Sequence, residues 1–335
     1  MNSPARTSGA AVEWEEDDTV EYVEPSQRRP RPTRPWHPHK PKRDKWSVLT
    51  SLVEPGDPAL RRNTIALSSK LDATSGEQTW IVEHLTPFSA SKTISTVLRR
   101  IKGGKEANVY CCAAHPDTGL DLIAAKLYRA RMLRNLRNDS RYRQGRPLLD
   151  ARGQTVDTRD WRLHKAIAQK STVGLEVTQA SWIEYEYQTL LRLHQAGVDV
   201  PRPINHGENV ILMEYVGDEV MPAPTLSHIR LERDEAHELF QRMLRNIERM
   251  LAAHVVHGDL SAYNVLYWAG EIAIIDFPQV VDPRQNSEAA DIFRRDVERI
   301  CQYFERCGVE SQPGRIARDL WARHAAKTIP VTHVS

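Results

Sequence analysis

Three oxygen-bearing side chains stand at a spacing that suits phosphoryl transfer: Asp259, Asn264 and, after the apolar run Ile274-Ile275, Asp276. That chemistry needs one carboxylate to orient or deprotonate the attacking hydroxyl. It also needs two oxygen ligands to hold magnesium on the phosphates. Asp259, Asn264 and Asp276 fit those roles in that order. Singly, each has a plainer use: a turn former, a cap and a strand-end residue. Together, flanked by Val265-Leu266-Tyr267 and Ile274-Ile275, they point to chemistry.

Upstream lie the residues that could handle the phosphates and base of a nucleotide. Gly103-Gly104-Lys105-Glu106-Ala107-Asn108-Val109-Tyr110 separates two strand candidates, and glycines let backbone approach phosphate oxygens without a Cβ clash. The spacing is neither that of a P-loop nor G-x-G-x-x-G, and a hairpin turn explains it equally well. Lys126 sits in the apolar run Ile123-Ala124-Ala125-Lys126-Leu127, where a lysine is costly unless paired. Glu186 falls on the inward stripe of a helix candidate, three residues after Ile183 and four before Leu190. Each supplies the partner the other needs. Met213-Glu214-Tyr215-Val216-Gly217 ends an apolar strand and suits a hinge, with backbone groups of Glu214 and Val216 facing adenine.

The elements that must position these residues follow from hydrophobic spacing. Residues 94–100, 107–113 and 121–127 read as strands around turn residues, and 210–215 as a buried strand. A helix over about 178–195 stops before Gly197, and 233–251 carries an apolar stripe at Ala236, Leu239, Phe240, Met243, Leu244, Ile247, Met250 and Leu251. Short strands at 265–268 and 272–276 precede a helix at about 288–306. This order predicts an α+β, two-lobed architecture: a β-rich N-lobe over 61–216 and a mostly helical C-lobe over 217–330. Within the first, residues 129–170 hold twelve Arg/Lys against four Asp and show little apolar periodicity. They read as a basic insertion too long for an idle connection.

Residues 1–60 read as a disordered tail. Seven acids and no Lys or Arg occupy 11–24, and eight bases with six prolines occupy 25–45. The basic stretch, with Trp36, His37, His39 and Trp46 interleaved, could touch RNA, although a solvated linker explains it more simply. The net charge of +2 over 335 residues therefore conceals separate acidic and basic blocks. Cys111, Cys112, Cys301 and Cys307 form no C-x-x-C pair, which fits a reduced, cytoplasmic protein. No apolar run approaches the roughly 18 residues of a membrane span, and the first residues lack the apolar core of a secretory signal.

The sequence resembles the RIO family of atypical serine/threonine protein kinases, in the branch whose loop reads G-K-E-A-N-V-Y, here Gly104–Tyr110. The resemblance runs in order through Ala125–Tyr128, Leu190–Gly197, Met213–Gly217, Pro222–Pro224, His257–Tyr267, Ile274–Val281 and Phe293–Asp296, covering about residues 80–310. It implies a trimmed protein-kinase fold using ATP and Mg2+, with Mn2+ as an alternative ion. Lys126 would contact phosphates, Glu186 would orient it, and Asp259 would be the catalytic aspartate. Asn264 and Asp276 would be metal ligands, Asp276 also being a candidate aspartyl-phosphate site. Gly103, Gly104, Lys105, Glu106, Val109, Glu214 and Val216 would line the ATP site. A small hydroxyl residue common in the branch is replaced here by Lys102-Gly103. The resemblance also implies autophosphorylation or ATPase activity in ribosome-associated work, with Ser140 a candidate phosphosite and rRNA or a ribosomal particle as partner of the basic segments.

Two other readings share part of this pattern. Small-molecule phosphotransferases of the aminoglycoside or choline kinase type also look like H-G-D-L-x-x-x-N, so His257–Asn264 does not discriminate. The Gly104–Tyr110 run and Phe277-Pro278-Gln279 favour the RIO reading. A non-catalytic RNA- or ribosome-binding factor would suit the basic segments, but intact Lys126, Asp259, Asn264 and Asp276 argue against lost catalysis.

Overall fold

The computed structural model describes residues 64–129, 142, 146–150, 153–156, 161–169 and 171–328. The tail at 1–60, Ser140 and much of the basic stretch lie outside these residues. In chain order the elements are β1 (Ala66–Leu67), α1 (Ser75–Ala90), β2 (Ile94–Gly103), β3 (Ala107–Ala114) and β4 (Leu122–Tyr128). There follow α2 (Trp161–Ala168), α3 (Thr172–Gln195), β5 (Pro203–Gly207) and β6 (Val210–Glu214). The helical half holds α4 (Arg233–Ala252), β7 (Val265–Trp268), β8 (Glu271–Ile274), α5 (Ala289–Arg306) and α6 (Pro313–Thr328). A mixed β layer followed by helices around one short hairpin is the α+β order the sequence predicts.

Six strands form one sheet in the order β1-β2-β3-β4-β6-β5, with β1 parallel to β2 and every other pair antiparallel. Alternation along β3 sends its adjacent cysteines to opposite faces. Cys112 joins Ile81 and Leu85 of α1 in one apolar cluster, whereas Cys111 packs with Ala124 and Tyr215 on the other face. All four cysteines are free thiols. On the second face, α3 lies between the sheet and the helical half. There Ile183, Leu190 and Leu193 share a core with Met243, Ile247, Phe277 and Phe304.

The structure corrects the sequence reading in several places. Helix α1 was not read from the sequence: it carries Gly76 and Pro87, and its buried side is narrow, only Ile81, Leu85 and Phe88. Its signal is the cap, since Thr74 Oγ1 accepts from Glu77 N–H at 3.3 Å in a T-x-x-E arrangement. Helix α3 starts at Thr172, six residues before the expected position, because Ser171 caps Gly174 N–H at 3.2 Å. Part of the basic insertion at 129–170 forms elements of its own. It contains α2, and Leu149 forms a bridge with Thr155 and is buried, its N–H donating to Ser181 Oγ of α3 at 2.8 Å. The expected strand 272–276 ends at Ile274, because Asp276 adopts φ 73° and turns the chain out of the hairpin. No helix of the described residues is long and apolar enough to cross a membrane.

Candidate active site

Lys126 lies on β4, a central strand flanked by β3 and β6, opposite Val109 on one side and Ile211 on the other. A central position leaves its ammonium no edge along which to reach water, so the group must be paired. Its Nζ donates to Glu186 Oε1 and to Asp276 Oδ1, each at 2.7 Å. Burial alone would lower the Lys126 pKa, but Asp276 and Glu186 outweigh it and hold the group well above its ordinary value. Burial would likewise raise the Asp276 carboxyl, but Lys126 holds it below the usual carboxylate range. Helix α3 thus presents Glu186, and the turn after β8 presents Asp276, to one lysine.

The glycine stretch forms the β2–β3 turn, closed by Gly104 N–H donating to Ala107 O at 3.0 Å. A Cβ at Gly104 would meet that same oxygen at 3.0 Å, so the tight approach favours glycine there. Gly103, Gly104 and Lys105 are exposed, whereas Glu106 turns toward the lysine cluster. Its carboxyl is raised, first by burial and then by Asp276. Val109 lies on the Lys126 face and packs against the apolar cluster of Cys111, Ala124 and Tyr215. Asn108, by contrast, is buried on the other face, tied to Glu77 at 2.9 Å and to Arg129 at 2.9 Å. At the hinge, Glu214 N–H donates to Arg202 O at 2.8 Å and Val216 O accepts from Ala223 N–H at 3.0 Å. Any base held there would therefore use the complementary groups, the Glu214 carbonyl and the Val216 N–H.

Asp259 and Asn264 come together in the loop between α4 and β7. Asn264 Nδ2 donates to Asp259 O at 2.9 Å and to Asp259 Oδ2 at 3.3 Å. The main-chain carbonyl of Asn264 in turn accepts from Ile275 N–H at 2.9 Å, fixing the loop beside the residue preceding Asp276. The structure therefore brings Lys126, Glu186, Glu106, Asp259, Asn264 and Asp276 around one region between sheet and helices.

Four supporting residues received no role from the sequence. His257 is buried, its Nε2 lies 3.2 Å from Ile275 O, and Asp259 N–H donates to its Nδ1 at 3.3 Å. That pairing assigns the neutral Nε2–H tautomer, consistent with burial pushing its pKa down. Asp296 accepts from Gly258 N–H at 2.7 Å and Leu260 N–H at 3.3 Å, bracketing Asp259. Its burial raises the carboxyl to about 7. Arg295 donates to the Gly258 carbonyl, and Arg299 pairs with Asp259 Oδ1 at 2.8 Å. The available signal was Asp296 at an otherwise apolar position on α5, beside buried Phe293, Val297 and Ile300.

The model of the RIO domain matches residues 108–315, well over half of the chain. The chain belongs to the RIO family. It is 32% identical over 135 residues to the RIO-type serine/threonine-protein kinase Rio1 of Thermoplasma acidophilum, covering 40% of this chain and 69% of that protein. It is 32% identical over 212 residues to the Rio1 of Haloferax volcanii, covering 63% of this chain and 64% of that protein. With the serine/threonine-protein kinase RIO1 of Chaetomium thermophilum it shares 33% identity over 234 residues, 66% of this chain but only 42% of the relative. The Rio2 kinase of the same organism, solved as an ADP/Mg2+-phosphoaspartate complex, is similar at a TM-score of 0.49 and 22% identity, over 74% of this chain and 66% of that one. Within the RIO match, the helical half contributes Asp259, Asn264 and Asp276, and the sheet half contributes Lys126 and Glu186.

Proposed function

We propose that this RIO-family chain is an ATP- and magnesium-dependent serine/threonine kinase that phosphorylates itself, hydrolyses ATP, or does both. The observation that carries the reading is Lys126 held 2.7 Å from both Glu186 and Asp276. Glu186 orients the lysine, which is then placed to meet phosphate oxygens as the phosphates draw it from Asp276. Asp259 accepts the proton of the attacking hydroxyl or water, and Arg299 must share its Oδ1 while it does so. Gly103, Gly104, Lys105 and Glu106 cover the phosphates, Val109 packs against the base, and Glu214 and Val216 bind its edge. The site is for ATP.

The donor set fits magnesium, or manganese in its place. Asp276 offers carboxylate oxygens, and Asn264 commits its amide nitrogen to Asp259, so a cation would meet its amide oxygen. When bound, the ion neutralises phosphate charge. Asp276 is also the candidate phosphate acceptor within the chain. The basic segments, net +8 over residues 129–170, support contact with rRNA or a ribosomal particle, and the proposed location is the cytoplasm.

Incubation with labelled ATP and Mg2+, followed by acid and alkali treatment of the labelled chain, tests the reading. Acyl phosphate on Asp276 is released by hydroxylamine at neutral pH, whereas phosphoserine resists it and survives acid. A wild-type chain that neither takes label nor releases phosphate overturns the proposal. For the RNA contact, the expected result is rRNA binding that weakens steeply with salt, and binding insensitive to salt contradicts it.

A further inference from the structure

Arg146 belongs to the basic stretch, yet it reaches both elements that converge on Lys126. Its Nη2 donates to the carbonyls of Pro278 and Val280, each at 2.9 Å. Those carbonyls lie two and four residues beyond Asp276. The same guanidinium lies 4.4 Å from the ring centroid of Tyr185 and 5.4 Å from that of Trp182, both on α3. Tyr185 adjoins Glu186, and Trp182 is one helical turn earlier. The stretch is anchored to α3 through Leu149, whose N–H donates to Ser181 Oγ at 2.8 Å. Nearby, Tyr142 accepts a hydrogen bond at 3.3 Å from Arg295, which also holds the Gly258 carbonyl.

We propose that Arg146 is a positioning residue: it clamps the segment after Asp276 onto α3, fixing the Asp276 carboxylate and the Glu186 carboxylate at one separation. A planar guanidinium can stack on Tyr185 and still direct N–H groups at two carbonyls, which an ammonium does less well. The clamp matters because Asp276 sits at φ 73°, a conformation that non-glycine residues adopt only when their surroundings impose it. Residues 278–280 are the stretch through which that restraint is applied. The basic insertion is thereby part of the active-site scaffold, in addition to any contact it makes with RNA.

The catalytic half of this proposal rests on the kinase reading, and the test keeps the two apart. Amide hydrogen exchange and ATP turnover against Mg2+ concentration are measured on the full chain, wild type, Arg146→Met and Arg146→Lys. For Arg146→Met, exchange within 276–282 is expected to quicken at least about fivefold while α4 is unchanged. The Mg2+ needed for half-maximal turnover should rise at least about fivefold and kcat fall roughly tenfold, with KM for ATP within about twofold. Arg146→Lys should fall between the two, and it carries the same comparison if Arg146→Met does not fold. Unchanged exchange in 276–282, or equal acceleration in 276–282 and α4, overturns the proposal. A wild-type chain without turnover overturns the kinase reading and the catalytic half with it; the clamp then stands or falls on exchange alone.

Discussion

The sheet half and the helical half of the site hold their functional groups by different means. On β4, Lys126 is fixed by charge, between two carboxylates supplied by separate elements. In the loop after α4, Asp259 is held mostly through backbone hydrogen bonds: its own N–H goes to His257, those of Gly258 and Leu260 go to Asp296, and Asn264 grips its carbonyl, with Arg299 as the one charge partner of its carboxylate. Charge pairs can exchange partners when phosphates arrive, whereas a hydrogen-bonded loop keeps its shape. The part of the site that must meet a varying charge is therefore adjustable, and the part that must aim one carboxylate is preset.

Substitutions in the two halves should consequently fail differently. The largest effect is expected for Asp259→Asn, which removes the carboxylate proposed as proton acceptor. Turnover should fall about 10²–10⁴-fold while equilibrium affinity for a fluorescent nucleotide stays close to wild type. Lys126→Met should lower turnover by about 10²-fold or more and weaken nucleotide binding as well, because it leaves Glu186 and Asp276 as unpaired carboxylates facing the phosphates. Equal loss of affinity in both variants would erase the contrast between the halves.

Smaller effects sharpen it through stability. Gly258 has φ 85°, and a Cβ there would meet Gln279 O at 2.3 Å. Gly258→Ala should therefore cost at least about 1–3 kcal/mol, read as a lower denaturation midpoint. The smallest is a pH effect at Asp296, whose folded carboxyl is raised to about 7 by burial. A raised folded pKa means its contribution to stability is full below the unfolded value of about 4 and is lost as pH rises through 7. Asp296→Asn should be less stable overall, since an amide replaces one acceptor of the Gly258 and Leu260 N–H groups. It should also lack that portion of the pH slope. A slope identical to wild type would remove Asp296 as its source.

Sequence periodicity located the parts of the site carried by strong patterns. Strands β2, β3 and β4 and helix α4 follow alternation or a continuous apolar stripe, the 257–276 region followed from the spacing of Asp259, Asn264 and Asp276, and the Lys126–Glu186 pair followed from the cost of burying either residue alone. What escaped was encoded by contacts between distant segments. Helix α1 is specified by its Thr74 cap and the fit of Ile81 and Leu85 against the sheet, with little amphipathic contrast to reveal it. Asp296 and Arg299 serve a loop about 40 residues away, a relation that spacing does not express. Arg146 was one base among twelve in a stretch read for its net charge, and only the folded chain shows it stacked on Tyr185.

The most direct test of the phosphotransfer reading is ATP turnover by the full chain with Mg2+, after chelation with EDTA, and with added aminoglycoside or choline. Phosphate release or self-labelling is expected in Mg2+, with loss of both on chelation, recovery on re-addition of the ion, and no stimulation by either alcohol-bearing compound. A chain that turns over ATP only when a small alcohol is supplied, or that never does so with Mg2+ present, would contradict that reading.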